Sequence, residues 1–210
     1  MAIPGQQNKI YGTAKSDFLR GSSQDDSIFG GDRSDILLGK KGNDYIDGGN
    51  GNDLLFGGDG DDWLLGGGGD DILIGGCGAD QFRFDGAQVS GCRDTDVVAD
   101  LNFSQGDKLV VYGFKAGTFD DKDGITETGI GNDLDITVPY PVNPARYGEG
   151  FVADSVDDLV ELVKYSTGAT AQKGFCNALI LKLDDGVHQQ TIVLNGWADA
   201  FVTAGGAYGI

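Results

Sequence analysis

From Gly12 to Arg83 the sequence repeats every nine residues without a break. The units read GTAKSDFLR, GSSQDDSIF, GGDRSDILL, GKKGNDYID, GGNGNDLLF, GGDGDDWLL, GGGGDDILI and GGCGADQFR. Position six is always aspartate: Asp17, Asp26, Asp35, Asp44, Asp53, Asp62, Asp71 and Asp80. Position eight is always apolar: Leu19, Ile28, Leu37, Ile46, Leu55, Leu64, Leu73 and Phe82. A short fixed period is the signature of a solenoid, whose units bury their apolar side only against one another. A flexible Gly/Asp linker has no reason to keep an aliphatic residue in phase. Ile3 to Tyr11 reads as a degraded ninth unit, with Asn8 in the aspartate position and Ile10 in the apolar one.

The unit predicts its own geometry. Six residues rich in Gly and Asp make a tight turn, and three make a short strand whose middle side chain points inward. Two units complete one coil of about 18 residues, so alternate units stack at the strand spacing of about 4.8 Å. Stacking brings carboxylates together, and two of them about 5 Å apart repel by roughly 3 kcal/mol at an effective dielectric near 20. A divalent cation between them turns repulsion into ligation, and hard oxygen donors select calcium.

These residues resemble the RTX (repeats-in-toxin, hemolysin-type) family, whose nonapeptide GGxGxDxUx folds as a calcium-bound parallel β-roll. The resemblance implies an ion between unit n and unit n+2. Its ligands are main-chain oxygens of positions two and four with the aspartate of the first unit, then main-chain oxygens of positions one and three with the aspartate of the second. The best site implied uses Gly49, Gly51 and Asp53 with Gly66, Gly68 and Asp71. Its partner on the opposite edge uses Gly58, Gly60 and Asp62 with Gly75, Cys77 and Asp80. Two more pair Gly31, Arg33 and Asp35 with Gly48, Asn50 and Asp53, and Lys40, Gly42 and Asp44 with Gly57, Asp59 and Asp62. That makes about four well-formed calcium sites, with about six the upper limit in the roll. Sites through Asp17 and Asp26 are weaker, because position four is Lys15, Gln24 and Arg33 in the first three units and position two is Thr13 and Ser22 in the first two. A positive φ at position four costs such side chains sterically. Lys15 or Arg33 is also placed to neutralise an aspartate in place of calcium.

The expected fold is therefore mainly all-β: a calcium-bound parallel β-roll over residues 1–83, then a β-rich capping region over 84–210 with one α-helix near 156–166. DTDVVADLNFSQGDKLVVYGF has the alternation of strands and resembles the segment that follows the repeats in serralysin-type relatives. There Asp100 and Asp107 match acidic positions that bind one more calcium. Ser155 to Asp158 reads as a capping box opening VDDLVELVKYS, with Val156, Leu159, Val160 and Val163 on one face. ALILKL, DDG and QTIVLNGW read as a hairpin, and DLDITV as a strand within the otherwise loop-like 115–150. The apolar tail AFVTAGGAYGI resembles the uncleaved signals of type I secretion substrates.

Strand positions seven and nine face outward. On the sheet built by the units starting at 12, 30, 48 and 66 they are Phe18, Arg20, Ile36, Leu38, Leu54, Phe56, Ile72 and Ile74, apolar in all but one case. So large an apolar patch predicts a cover: the chain's own second half, another subunit or a partner. On the opposite, mixed sheet Tyr45 and Trp63 are neighbours and offer a stacking platform for sugars. Alginate-epimerase accessory modules, which the chain resembles, bind polysaccharide.

A formal charge of -18 disfavours nucleic acid and anionic membrane as partners, since both need Lys and Arg, and favours cations. There is no run of transmembrane length and no apolar signal-peptide stretch at the N-terminus. Cys77, Cys92 and Cys176 are too few and odd in number for a disulfide framework. HExxH and GxSxG are absent, and His188 is the only histidine, so no catalytic constellation stands out. The function expected is that of a secreted or cell-surface, non-catalytic calcium-binding protein, exported by a type I exporter and folded by extracellular calcium. The alternatives are a polysaccharide- or cell-surface-binding accessory module and a component that self-assembles through the apolar sheet.

Overall fold

The computed structural model describes residues 8–86, 94–112, 151–165, 169–184 and 186–208, and of Phe151, Glu161, Lys164 and Tyr165 only the backbone. Each repeat contributes one strand, and successive strands alternate between two sheets. One sheet takes β1 (Asn8–Tyr11), β3 (Asp26–Asp32), β5 (Tyr45–Asn50), β7 (Trp63–Gly68) and β9 (Gln81–Asp85). The other takes β2 (Phe18–Arg20), β4 (Ile36–Lys41), β6 (Leu54–Asp59) and β8 (Ile72–Cys77). All these pairs are parallel and in phase with the coil: Ile28 lies beside Ile46 and Ile46 beside Leu64, while Leu37 lies beside Leu55 and Leu55 beside Leu73. The position-eight side chains from Ile28 to Phe82 are completely buried and fill the roll.

Most strands are twice as long as the nine-residue pattern predicts. They run through positions seven to nine and on through one to three of the next unit, so glycine pairs with glycine, as Gly31 does with Gly49 and Gly49 with Gly67. With no side chains to separate them these backbones stay within ladder distance. Position two holds a positive φ throughout the regular units, 97° at Gly49 and 125° at Gly58.

The second half continues both sheets. β10 (Asp94–Val98) pairs in parallel with β8, and β15 (Gln189–Leu194), β14 (Leu179–Asp184) and β13 (Ala169–Lys173) extend that sheet to eight strands. β14 and β15 form the expected antiparallel pair. β11 (Lys108–Tyr112) joins β9, and β12 (Phe151–Ala153) ends the seven-stranded sheet. Helix α1 (Val156–Tyr165) packs against β12 and β13, the last strands of the two sheets, and so plugs the end of the roll with Leu159 and Leu162. Its capping box forms as expected: Ser155 Oγ donates to Asp158 Oδ2 at 2.5 Å and accepts the Asp158 N–H at 3.3 Å.

Three expectations change. The capping region holds a second helix beyond the one expected: Ala198–Thr203 forms α2, with Phe201 fully buried and stacked on Tyr208. The apolar sheet face is not covered by the second half among the described residues. The ladder groups on the free edge of β8 draw β10 into the plane of the sheet, leaving Phe18, Ile36 and Ile72 exposed and Leu38, Leu54, Phe56 and Ile74 half-buried. It is the mixed face that is buried, at Trp63, Leu65, Arg83, Val110 and Tyr112. DLDITV lies outside the described residues, as does Gly168, the glycine expected to end α1.

Leu73 and Ile72 are neighbours in β8 on opposite faces. Leu73→Ala is expected to cost about 3 kcal/mol and Ile72→Ala under about 1 kcal/mol, read from urea midpoints at saturating calcium. Equal costs would mean that the outward face is buried in solution.

Candidate metal centre

The aspartates of alternate units form two continuous ladders. In each rung the backbone N–H of one aspartate donates to Oδ1 of the aspartate two units on. One ladder runs Asp17, Asp35, Asp53, Asp71; the other runs Asp26, Asp44, Asp62, Asp80. The rungs measure 2.7 to 2.9 Å.

The second oxygen decides what these ladders are for. In Asp35, Asp44, Asp53, Asp62, Asp71 and Asp80 the side chain is buried and Oδ2 has no hydrogen-bond partner. A buried acceptor without a donor is costly, and six stacked in register point to an unstated cationic partner. The surroundings supply further oxygens. A Cβ added to Gly48 would collide with both Asp53 Oδ2 and the Gly66 carbonyl oxygen. At Gly57 it would meet Asp62 Oδ2 and the Gly75 carbonyl oxygen, at Gly30 Asp35 Oδ2 and the Gly48 carbonyl oxygen, and at Gly39 Asp44 Oδ2 and the Gly57 carbonyl oxygen. In these four aspartates the orphan oxygen thus faces the position-one carbonyl of the unit two ahead, across a space that only glycine leaves open. Among the described residues no three His, Cys, Asp or Glu side chains converge as a metal cluster. A cation here must therefore combine carboxylates with main-chain oxygens, a donor set that suits calcium.

Residues 7–32, 29–64 and 47–82 match the family of the RTX calcium-binding nonapeptide repeat (4 copies). The N-terminal part of the chain is an RTX repeat array, and RTX nonapeptide repeats bind Ca2+. No match is found among curated proteins.

The RTX units differ along the array. In the first two, Oδ2 is satisfied: Asp17 Oδ2 accepts from the Thr13 N–H and hydroxyl at 2.6 and 2.8 Å, and Asp26 Oδ2 from those of Ser22 at 2.5 and 2.9 Å. A hydroxyl at position two takes the oxygen that is orphaned from unit three onward. Asn8, at position six of the degraded unit, donates to Asp26 Oδ1 at 2.6 Å and caps that ladder. Positive φ occurs at position four from unit three onward, at 70° for Arg33, 108° for Gly42, 142° for Gly51 and 139° for Gly60, and Lys40 adopts 89° at position two. Among the described residues neither Lys15 nor Arg33 forms an ion pair with a ladder aspartate; Lys41 Nζ instead meets Asp59 Oδ2 at 2.8 Å on the exposed surface. Of the remaining expected main-chain donors, the carbonyls of Asp59, Gly68 and Cys77 each accept the position-four N–H two units earlier, leaving one lone pair. Asn50 pairs with Gly68 in the ladder.

Each ladder continues beyond the repeats. The Asp71 N–H donates to Asp96 Oδ1 at 2.9 Å and the Asp80 N–H to Asp107 Oδ1 at 3.0 Å. Asp96 Oδ2 accepts from Gln190 Nε2 at 2.7 Å, and Asp107 Oδ2 from the Asn102 N–H at 2.8 Å. Asp100 accepts the N–H groups of Gly75 and Gly76, both at 2.9 Å. Asp96 escapes the nine-residue count because its rung spans a longer gap. Its signal is the local D-x-apolar pattern of Asp96-Val97-Val98, shared by Asp107-Lys108-Leu109.

Tyr45 and Trp63 are cross-strand neighbours, but Trp63 is buried and the Arg83 guanidinium lies 4.6 Å over its ring. The indole face expected to be open for a sugar is already used by a cation. Cys77 and Cys176 are exposed free thiols; Cys92 lies outside the described residues.

Burial raises the ladder carboxyls, and neighbouring carboxylates push the same way: Asp53 to about 6, Asp44 and Asp80 to about 7, Asp62 and Asp71 to about 8. Asp35 is raised by the same desolvation. Each exceeds the unfolded value of about 3.9, so the native metal-free chain holds protons that the unfolded chain releases. That stability is full below about pH 4 and is lost as pH rises through about 6 to 8. Thermal unfolding in chelator should therefore show greater stability at pH 5 than at pH 8, with the stabilisation by added calcium larger at pH 8. Stability rising with pH in chelator would contradict the burial of these groups.

Proposed function

We propose that the protein is a non-catalytic, extracellular or cell-surface calcium-binding protein whose RTX roll folds on calcium after export by a type I exporter. The observation that carries this reading is the row of six buried aspartates with an unpartnered Oδ2, which in Asp35, Asp44, Asp53 and Asp62 faces a main-chain carbonyl. Residues 1–83 act as the roll and 84–210 as its cap. About four ions are held, using Gly49, Gly51, Asp53, Gly66, Gly68 and Asp71; Gly58, Gly60, Asp62, Gly75, Cys77 and Asp80; and the equivalent sets through Asp35 and Asp44. The units carrying Asp17 and Asp26 close their carboxylates with hydroxyls and hold calcium weakly or not at all. When bound, calcium supplies the positive charge that lets the stacked carboxylates stay ionised in the interior. Before export, at submicromolar calcium, the same carboxylates repel one another and keep the chain open. Among the described residues no helix is long and apolar enough to cross a membrane.

Titrating calcium into chelator-treated protein, with magnesium as control, is expected to give a cooperative coil-to-sheet transition in far-UV circular dichroism. A chain already folded in chelator at pH 8 and indifferent to calcium would remove the switch.

Self-assembly through the apolar sheet is a second reading, favoured by one further observation. The outward row Phe18, Ile36, Leu54, Ile72 continues in register through Val97, Val193 and Ile180 of the cap. Adding calcium should then give an oligomer by size-exclusion light scattering that Ile72→Asp returns to monomer. A monomeric wild type at high concentration would exclude it.

A further inference from the structure

The outward face of the eight-stranded sheet changes shape at its middle. It runs through β2, β4, β6 and β8 of the roll and then β10, β15, β14 and β13 of the second half, four strands on each side. One register row crosses all eight, from Phe18 at the β2 edge through Ile72 and Val97 in the middle to Ile180 and Gln172 on β14 and β13. Over the roll the face stands out: Phe18, Ile36 and Ile72 are 63%, 39% and 43% exposed. Over the second half it is hollow, with a cavity of about 480 Å³ whose lining includes Thr95, Gln172, Ile180, Lys182, Thr191 and Val193. An apolar ridge and a groove thus lie side by side on one surface.

The charge on this face is unlike that of the chain. Across the outward roll positions and the groove lining, Asp184 is the only acid, in a chain of net charge -18. Both its oxygens are engaged, Oδ1 by the Gly186 N–H at 2.7 Å and Oδ2 by Gln189 Nε2 at 2.8 Å. Arg20 and Lys182 share the face and form no ion pair among the described residues. Two acidic copies can therefore meet here without stacking carboxylates on carboxylates. The area suffices as well. Eight strands at about 4.8 Å span about 38 Å, and with strands of about 15 Å the face offers about 600 Å² per copy. Two such faces cover about 1,200 Å², above the roughly 1,000 Å² that a stable interface needs.

We propose that the chain pairs with a second copy of itself as a closed two-fold dimer, in which the roll ridge of each copy lies in the cap groove of the other. This rests on the self-assembly reading and adds which surfaces meet. A two-fold axis parallel to the strands, between β8 and β10, keeps the register row in line and reverses the strand order. Ile36 then lies opposite the partner's Ile180 and Phe18 opposite the partner's Gln172, while Ile72 meets the partner's Val97 beside the axis. The ridge–groove contact is made twice, so the pair closes. Like packed on like would set ridge against ridge and enclose a void between the two grooves, forfeiting packing.

Mixing two variants of the full chain tests this. Phe18→Asp spoils the ridge and Ile180→Asp the groove. Each alone is expected to be monomeric by size-exclusion light scattering in calcium, at a concentration where wild type has twice the monomer mass. In the mixture one ridge–groove contact joins both altered surfaces and the other is wild type on both sides, so dimer is expected to return. Phe18→Asp mixed with Ile36→Asp is expected to stay monomeric, because every contact then contains an altered ridge. A wild-type dimer whose Phe18→Asp and Ile180→Asp variants stay monomeric on mixing, or stay dimeric alone, overturns the ridge-in-groove pairing and leaves self-assembly standing. A wild-type monomer overturns both, and wild-type species larger than a dimer overturn the two-fold closure. Should Ile180→Asp not fold by circular dichroism in calcium, Lys182→Asp, at an exposed position of the same groove, takes its place.

Discussion

The backbone N–H that each ladder aspartate donates to the aspartate two units on fixes the geometry of everything around it. It orients one carboxylate oxygen along the stack and, in Asp35, Asp44, Asp53 and Asp62, leaves the other turned toward a glycine carbonyl. A carboxylate so held cannot turn outward to water without breaking a buried bond. The roll therefore concentrates negative charge along two interior lines and has no built-in base to neutralise it. Proton or divalent ion is the choice left, and the raised pKa of Asp62 and Asp71 marks how unwelcome the bare charge is.

The second half of the chain is best understood through the edges it closes. A roll has an open end on each sheet, and there β10 and β11 supply both the next strand and the next aspartate. Gln190 and Asn102 then satisfy the oxygens that would otherwise continue the ladders, and α1 with α2 covers the apolar interior exposed between the last strands. At the other end Thr13, Ser22 and Asn8 do the equivalent work with short polar side chains. Stacked repeats need such ends, since an interior unit copied to the terminus leaves its polar groups unmet.

What was legible in the sequence follows from what a period can encode. The six aspartates with orphan oxygens, the inward position-eight residues and the weaker first units stand in the nine-residue phase, because every unit meets the same neighbours. Asp96 was not legible from the phase, since its gap is set by the chain between strands rather than by the coil. Trp63 shows the limit of reading faces: its outward position was evident, but that Arg83 would lie across it depends on pairing between β7 and β9. The apolar face was evident too, yet a pattern of outward residues says nothing about whether the next segment adds beside a sheet or lies upon it.

The ladders also have a direction. In every rung the acceptor carboxylate lies later in the chain than the N–H it receives, and among the described residues the ends tied into the packed core of the cap are the late ones, at Asp96 and Asp107. A chain that orders from its C-terminal end thus offers each incoming coil a carboxylate already fixed in place. One that orders from the other end must first align a string of acids with nothing behind them. The asymmetry makes the end from which the chain orders decide how readily the roll closes.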